Sequence, residues 1–321
     1  MVGKKTSYAQ ASCSTLAAIA GRSKWVTQNE WLDIAIEADQ GKPPVNNEQT
    51  TVQRMGDLLE PTLCREASSM LGFTNVVTEH TEPFKHPNLP LAGSLDGSAV
   101  ADNLFFTKDS HDWLYLPEDD SIRLDGPGVL EVKCTRDMGR PELEDWRGVL
   151  QVKGLMECCD WEWAAIIVLW QSTDFRVYLY RRDPSFKEWL KETVLDFNRR
   201  VKEKDYYSPV TSADSNLVYK KVEKDDIILP PDSETVIETI IKTKQIIKDL
   251  EKTIDDSEMY LKDLIKDHEM GKTNRYEVKW PMINYKAQPE RVIPAKEART
   301  TRAKTLRIKD YGLREEESSL D

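Results

Sequence analysis

The sequence lacks the features of a membrane or secreted protein. No apolar run reaches the roughly 18 residues that a membrane-spanning helix needs. The first part of the chain also lacks the basic, apolar and small-residue order of a secretory signal. We therefore expect a protein without a membrane partner that works in the cytoplasm.

Cysteine and histidine patterns that bind metals are missing as well. The five cysteines show no CxxC spacing, and the four histidines are scattered along the chain. This argues against both a disulfide framework and a zinc cluster. Reduced thiols are the expectation.

The chain has fewer basic than acidic residues, and its net charge is -11. A strongly acidic chain is a poor candidate for a protein that coats a phosphate backbone. Clustered carboxylates can nevertheless hold metal ions, and a few local basic groups suffice to contact nucleic acid. The charge therefore weakens a nucleic-acid function without excluding it.

The 321 residues, of which 39% are hydrophobic, can form one large domain and a smaller appendage. Helical spacing predicts three early helices, the third over 50–71 with this buried side: Val52, Met55, Leu58, Leu59, Leu63, Ala67 and Leu71. Short strand-like runs follow between 76 and 136, then a helix over 145–159 and two strands over 163–171 and 175–181. This order predicts an α+β fold over 1–208, with a mixed central sheet flanked by helices.

Residues 209–321 are predicted to form a C-terminal extension with a long amphipathic helix at about 233–268. Apolar residues recur there at heptad spacing: Ile240, Ile247, Ile254 and Leu261, with Val236, Leu250 and Leu264 at the companion positions. Because Thr243 and Ser257 interrupt the second register, a helical hairpin, docking against the main domain and a free coiled coil all remain open. The segment 291–309 is locally basic, and both a DNA backbone contact and a solvated tail fit it.

Two charged strand positions and one aspartate carry the chemical signal. Asp96 lies between Gly93 and Gly97, where the backbone can approach a ligand closely. Glu131 and Lys133 interrupt an apolar strand and share one face of it, because strand side chains alternate. Charge on an apolar strand indicates either solvent exposure or a site for metal and substrate.

Oxygen ligands such as Asp96 and Glu131 suit magnesium or manganese, which can hold a phosphate oxygen and lower the pKa of a bound water. Lys133 could then orient that water and stabilise charge on the phosphate. In the alternative interpretation, Asp96 is a turn residue and the strand pair is solvated.

Four motifs in this order carry a resemblance: GDLLE at 56–60, GSLDG at 93–97, LEVKC at 130–134 and LQV at 150–152. Together they resemble the YqaJ-type viral recombinases, the lambda exonuclease-like family of the PD-(D/E)XK nuclease superfamily. The similarity spans about residues 8–185. It implies a PD-(D/E)XK nuclease-like fold.

The resemblance also implies roles for individual residues. Lys133 would be the catalytic lysine, and Gln151 would be oriented towards the site. Ser14 and Ser94 would hold a terminal 5′-phosphate. The site would hold two Mg²⁺ ions, with Mn²⁺ able to substitute, through these ligands: Asp96, Glu131, the Val132 carbonyl and Glu60.

As activity, the resemblance implies 5′-to-3′ resection of linear double-stranded DNA ends for phage-type recombination. It implies a ring-shaped trimer, a single-strand annealing protein as partner, and the host cell cytoplasm if the chain is phage-encoded. The alternatives are an endonuclease or single-strand-trimming relative and a non-catalytic recombination scaffold. The intact Glu60, Asp96, Glu131 and Lys133 argue against the scaffold.

Three departures from the family pattern stand out. Leu95 replaces a frequent proline, and Lys153 replaces a frequent second glutamine. No arginine precedes Ser14 at the position of the family's phosphate-binding arginine, for which Lys4 or Lys5 could substitute. This affects the expected 5′-phosphate preference more than cleavage.

Overall fold

The computed structural model describes residues 7–42, 50–220 and 226–283. The chain divides into two compact units, Met1–Lys220 and Lys221–Asp321. Lys4, Lys5 and the basic segment 291–309 lie outside the described residues. No helix within the described ranges has the length and apolar character to cross a membrane.

The helices of the first unit are α1 Leu16–Ile19, α2 Gln28–Asp39, α3 Thr51–Leu71, α4 Val149–Cys159, α5 Phe186–Glu203 and α6 Ser212–Val218. Thr27 caps α2 by accepting a hydrogen bond from the Glu30 amide at 3.1 Å. Gly72 ends α3 in the left-handed conformation, at φ 75°. Thr27 therefore sets the start of α2, and Gly72 sets the end of α3.

The strands of the first unit are β1 Ala11–Ser12, β2 Thr74–Val77, β3 Phe84–Lys85, β4 Leu91–Gly93, β5 Gly97–Thr107, β6 Leu114–Tyr115, β7 Ser121–Thr135, β8 Trp163–Trp170 and β9 Asp174–Arg181. Six of them form one sheet in the order β2-β5-β7-β8-β9-β6. The pairs β7–β8 and β9–β6 are parallel and the other three are antiparallel. The predicted mixed sheet flanked by helices is confirmed.

Each face of this sheet packs against different helices. Val129, Ile166 and Val168 belong to the core that α4 and α5 cover. Leu130 and Ile167, which alternate with them along β7 and β8, belong to the core under α3. The strands of the site are thus held from both sides.

Only the C-terminal half of α3 is buried. Leu63, Ala67 and Leu71 lie in the core, whereas Val52 and Leu58 are 70% and 60% exposed. Met55 is exposed too. The predicted buried side was wrong for the first half of α3, because that half extends beyond the core that the second half covers.

The amphipathic helix α5 and the short helix α6 were not predicted. Asp214 of α6 is fully buried and accepts hydrogen bonds from the Thr27 hydroxyl and, at 3.0 Å, from the Val210 amide. These bonds attach α6 to the start of α2. For this reason the first unit extends past the boundary expected at 208, to Lys220.

The second unit contains α7 Ser233–Ile265 followed by β10 Met270–Lys272 and β11 Glu277–Lys279, which pair antiparallel. The long helix of the extension is confirmed. It ends at Ile265, and Gly271, which was expected to end it, lies within β10. The extension therefore has a helix and a small hairpin.

Candidate active site

Asp96 occupies the turn between β4 and β5. Its Oδ2 accepts a hydrogen bond from the Val132 amide of β7 at 2.8 Å. The strand-like run over 92–100 is not one continuous strand, because β4 ends at Gly93 and β5 begins at Gly97. The break lets the aspartate side chain reach the backbone of a neighbouring strand.

Glu131 lies at the centre of the sheet, on β7 and opposite Ile166 of β8. Its side chain is only 1% exposed. Its Oε1 accepts a hydrogen bond from Lys133 Nζ. Its Oε2 is buried and has no hydrogen-bond partner among the described residues.

Asp96 and Glu131 act on each other electrostatically. Burial, followed by the charge of Asp96, raises the pKa of Glu131 to about 8 against the opposing effect of Lys133. Burial also raises the pKa of Asp96, although Lys133 and the Val132 amide lower it. Both carboxyl groups are therefore easier to protonate than in solution.

Lys133 connects this pair to α4. Besides Glu131, its Nζ donates to Gln151 Oε1 at 3.3 Å. Burial lowers the pKa of Lys133, but Glu131 and Asp96 raise it more, so the net shift is upward. With 31% of its side chain exposed, Lys133 is a fixed ammonium that solvent can reach.

Gly148 makes room for Lys133 at the start of α4. Its φ is +103°, which an L side chain rarely adopts, and a Cβ there would lie 3.3 Å from Lys133 Cε. Glycine is thus required for both the turn and the approach of the lysine.

Glu60 reaches the cluster from α3. One helical turn later Cys64 packs on Gly97, where a Cβ would lie 3.0 Å from Cys64 Sγ. Burial raises the pKa of Glu60 to about 7, with Asp96 and Asp57 adding to the rise and Lys133 opposing it. The charge of Glu60 therefore acts on the same site.

The two serines expected to bind a 5′-phosphate, Ser14 and Ser94, follow two paired strands of a small sheet. β1 runs parallel to β4, with Ser12 opposite Ala92, so Ser14 and Ser94 follow at the same end. Ser14 is exposed, and its Oγ lies 3.1 Å from the Oγ of the buried Ser12. The structure thus gives Ser14 a hydroxyl neighbour that the motif did not include.

The side chains of the site that could bind a divalent cation are carboxylates. In the described ranges, no group of three or more His, Cys, Asp or Glu side chains is arranged to hold an ion. What the structure does bring together is the Asp96–Glu131 pair, next to the Val132 backbone and within electrostatic reach of Glu60. An oxygen-only set with an unpartnered buried oxygen and three raised carboxyl pKa values suits Mg²⁺ or Mn²⁺.

Three contributors were missed in the sequence. Gly148 is signalled by the position of a glycine near the start of the helix predicted over 145–159. Cys64 and Asp57 could have been found from helical spacing, since both lie within one turn of Glu60.

Several other aromatic and charged side chains have structural roles. Trp163 and Trp170 are buried in the core, and Arg182 pairs with Glu157 at 2.7 Å. Arg181 pairs with Asp119 at 3.1 Å. Cys134 is exposed, because it lies near the end of β7.

No family model matches the chain, and no curated protein matches its sequence. Among solved structures, the chain is similar to LHK-Exo in complex with dAMP, at 14% identity and a TM-score of 0.44, covering 61% of this chain and 90% of that one. The alkaline exonuclease LHK-Exo from Laribacter hongkongensis is 14% identical, with a TM-score of 0.43, and the match covers 62% of this chain and 90% of that one. A phage-related exonuclease from Haemophilus somnus 129PT is 16% identical, with a TM-score of 0.41, and the match covers 61% of this chain and 94% of that one.

These structural neighbours are exonucleases, the type of protein that the motifs resemble. Likeness at this level does not by itself assign an activity, which has to be argued from the side chains of this chain.

Proposed function

We propose that the protein is a Mg²⁺-dependent exonuclease that resects linear double-stranded DNA from its ends. One observation carries the proposal. Lys133 Nζ donates to Glu131 in a partly buried site, and the carboxyl groups of Asp96 and Glu60 act electrostatically on the same ammonium. Metal-dependent phosphodiester hydrolysis uses this combination of metal-binding oxygens and a fixed cation.

Each side chain has a task in this proposal. Lys133 orients the attacking water, helps to remove its proton and stabilises negative charge on the phosphate. Gln151 holds the lysine in place through its Oε1. The Val132 amide holds Asp96, which leaves the other carboxylate oxygen of Asp96 for a ligand.

The residues that would hold Mg²⁺, or Mn²⁺ in its place, are Asp96, Glu131, the Val132 carbonyl and, for a second ion, Glu60. A bound divalent cation would supply a water of lowered pKa and positive charge for the scissile phosphate.

The motif resemblance supports the finer parts of the proposal. It favours 5′-to-3′ polarity, capture of a 5′-phosphate by Ser14 and Ser94, and single-strand products for phage-type recombination. An annealing protein as partner, a trimeric assembly and a cytoplasmic location follow from the same resemblance.

The test is digestion of end-labelled linear duplex with Mg²⁺ by the wild type and by Lys133→Ala. We expect the variant to be slower by at least about two orders of magnitude, because one placed proton-transfer or electrostatic group supplies about that much. Lys191→Ala is the matched control, since Lys191 is exposed on α5 and pairs only with Glu188 among the described ion pairs. Equal rates for wild type and Lys133→Ala would refute the catalytic assignment.

A second substrate separates the rival nucleases. An exonuclease degrades linear duplex and leaves covalently closed circular DNA intact, whereas an endonuclease cuts both. A single-strand-trimming enzyme prefers single-stranded substrate. A scaffold protein would degrade none of the three.

A further inference from the structure

Two tryptophans, Trp25 and Trp146, form an exposed corner beside the candidate active site. Trp25 follows α1 in the chain, and Trp146 lies in a short 3₁₀ helix, Asp145–Arg147, that leads into α4. Their ring centroids are 6.0 Å apart and their planes are almost perpendicular, at 87°. Trp25 is 75% exposed. This tryptophan corner therefore presents a large aromatic ring to solvent in an edge-to-face arrangement.

Charged side chains hold the tryptophan corner in place. Arg22 donates to Asp145 at 2.7 Å, which ties the segment before Trp25 to the 3₁₀ helix. The Arg147 guanidinium is buried and packs on the Trp146 ring, with its Cζ 4.4 Å from the ring centroid. Because the rings are already positioned, a ligand that binds them loses little free energy in ordering them.

Lys24 places an ammonium next to both rings. Its Nζ lies 5.1 Å from the ring centroid of Trp25 and 5.5 Å from that of Trp146. Its side chain is exposed, and unlike Arg22 and Arg147 it belongs to no ion pair among the described residues. This ammonium can contact a phosphate while the neighbouring ring stacks on the attached base.

The tryptophan corner is close to Lys133 along the chain and in space. Trp146 precedes Gly148 by two residues, so their Cα atoms are within about 7 Å of each other. A Cβ at Gly148 would lie 3.3 Å from Lys133 Cε. A strand whose phosphate is bound at Lys133 can therefore reach the corner with a neighbouring nucleotide.

The chemistry of the tryptophan corner fits an unpaired base better than other ligands of exposed tryptophan. Aromatic rings beside a cation are the combination with which proteins bind single strands of many sequences. A proline-rich peptide would use the rings but not the ammonium of Lys24. An apolar helix needs a continuous apolar surface, whereas the Arg22–Asp145 ion pair borders this one.

We propose that Trp25 stacks on an unpaired base of single-stranded DNA, with Lys24 on the adjoining phosphate and Trp146 supporting the ring. The choice of DNA rests on the proposed function, because an enzyme that resects a duplex end separates its strands there. Bases inside a duplex are covered by their neighbours, so only a separated strand offers its base faces to the ring. The binding itself needs neither a metal ion nor cleavage.

The first test measures binding of labelled single-stranded oligothymidylate to the full chain by fluorescence anisotropy in a chelator. Trp25→Ala should weaken binding about fivefold or more, because one stacked base typically contributes at least that much. Trp25→Phe keeps a ring and should restore most of the affinity. The matched control is Phe105→Ala, since Phe105 is 54% exposed beneath Arg123, 5.5 Å from its ring centroid, but lies towards the other end of β5 from Gly97. This control should bind like the wild type.

The second test uses an abasic strand of the same length, which has the phosphates without the bases. Wild type and Trp25→Ala should bind it equally, whereas Lys24→Ala should weaken the binding of both strands. The proposal would be overturned by unchanged oligothymidylate binding in Trp25→Ala, by equal losses for both strands, or by a wild type that binds a proline-rich peptide and not the oligonucleotide. Equal cleavage rates for wild type and Lys133→Ala would refute the catalytic assignment and leave these affinities unchanged, so the two proposals fail separately.

Discussion

Replacing Glu131 by glutamine should stabilise the metal-free protein at alkaline pH. Glutamine keeps an acceptor for Lys133 Nζ and puts an N–H donor where Glu131 Oε2 has no partner. It also removes a carboxyl group whose pKa burial and Asp96 raise from 4.5 to about 8.

The sign follows from proton linkage. The folded state keeps the Glu131 proton up to about pH 8, whereas the unfolded chain loses it near 4.5, so stability falls as pH rises through this window. Between pH 5 and pH 8 the loss is about 3 kcal/mol, because each unit of pKa shift corresponds to about 1.4 kcal/mol. The raised pKa values of Asp96 and Glu60 act in the same direction.

Thermal unfolding in a chelator at several pH values measures this effect. We expect the Tm of the wild type to fall by about 10 °C from pH 5 to pH 8, since 1 kcal/mol shifts Tm by roughly 2–4 °C in a unit of this size. Glu131→Gln should fall much less, and excess Mg²⁺ should reduce the fall of the wild type. The control Glu66→Gln, at an exposed position of α3, should follow the wild type. Parallel curves for wild type and Glu131→Gln would refute the assigned cause.

Three further predictions concern other parts of the first unit. Gly148→Ala should lower kcat by tenfold or more, because a Cβ would displace Lys133 and the φ of +103° is strained; initial rates against substrate concentration measure it. Arg182→Ala should lower the free energy of unfolding by about 3 kcal/mol, since Glu157 would remain buried without its ion pair; urea titration measures it. Ser14→Ala should raise KM for duplex with a 5′-phosphate and leave KM for a 5′-hydroxyl duplex unchanged, which paired kinetics on the two substrates would show.

Local patterns in the sequence were sufficient to predict part of the site. Alternation along a strand placed Glu131 and Lys133 on one face, and the structure has the two side chains hydrogen-bonded. Helical spacing predicted α3 with Glu60 near its middle. Both patterns are local, so they do not depend on how the chain folds back on itself.

Contacts between distant segments could not be predicted in this way. The bond from the Val132 amide to Asp96 depends on the register in which β5 and β7 pair, with Gly97 opposite Leu130. The exposure of Val52 depends on how far along α3 the core extends. Apolar spacing gives the side of a helix that is buried, but not the length over which it is buried.

The burial and the charges of the site distinguish the two interpretations of its sequence, a solvated strand pair and a site for metal and substrate. A solvated strand pair would leave Glu131 exposed, yet its side chain is 1% exposed and one of its oxygens has no partner among the described residues. A structural ion pair would need one carboxylate for the ammonium of Lys133, whereas Asp96 and Glu60 add two more whose charges raise one another's pKa. Keeping these carboxyl groups buried costs stability, because each must either stay protonated or carry charge without a partner. This cost is consistent with the proposal that the cluster binds a divalent cation, which would serve a metal-dependent phosphodiester hydrolysis.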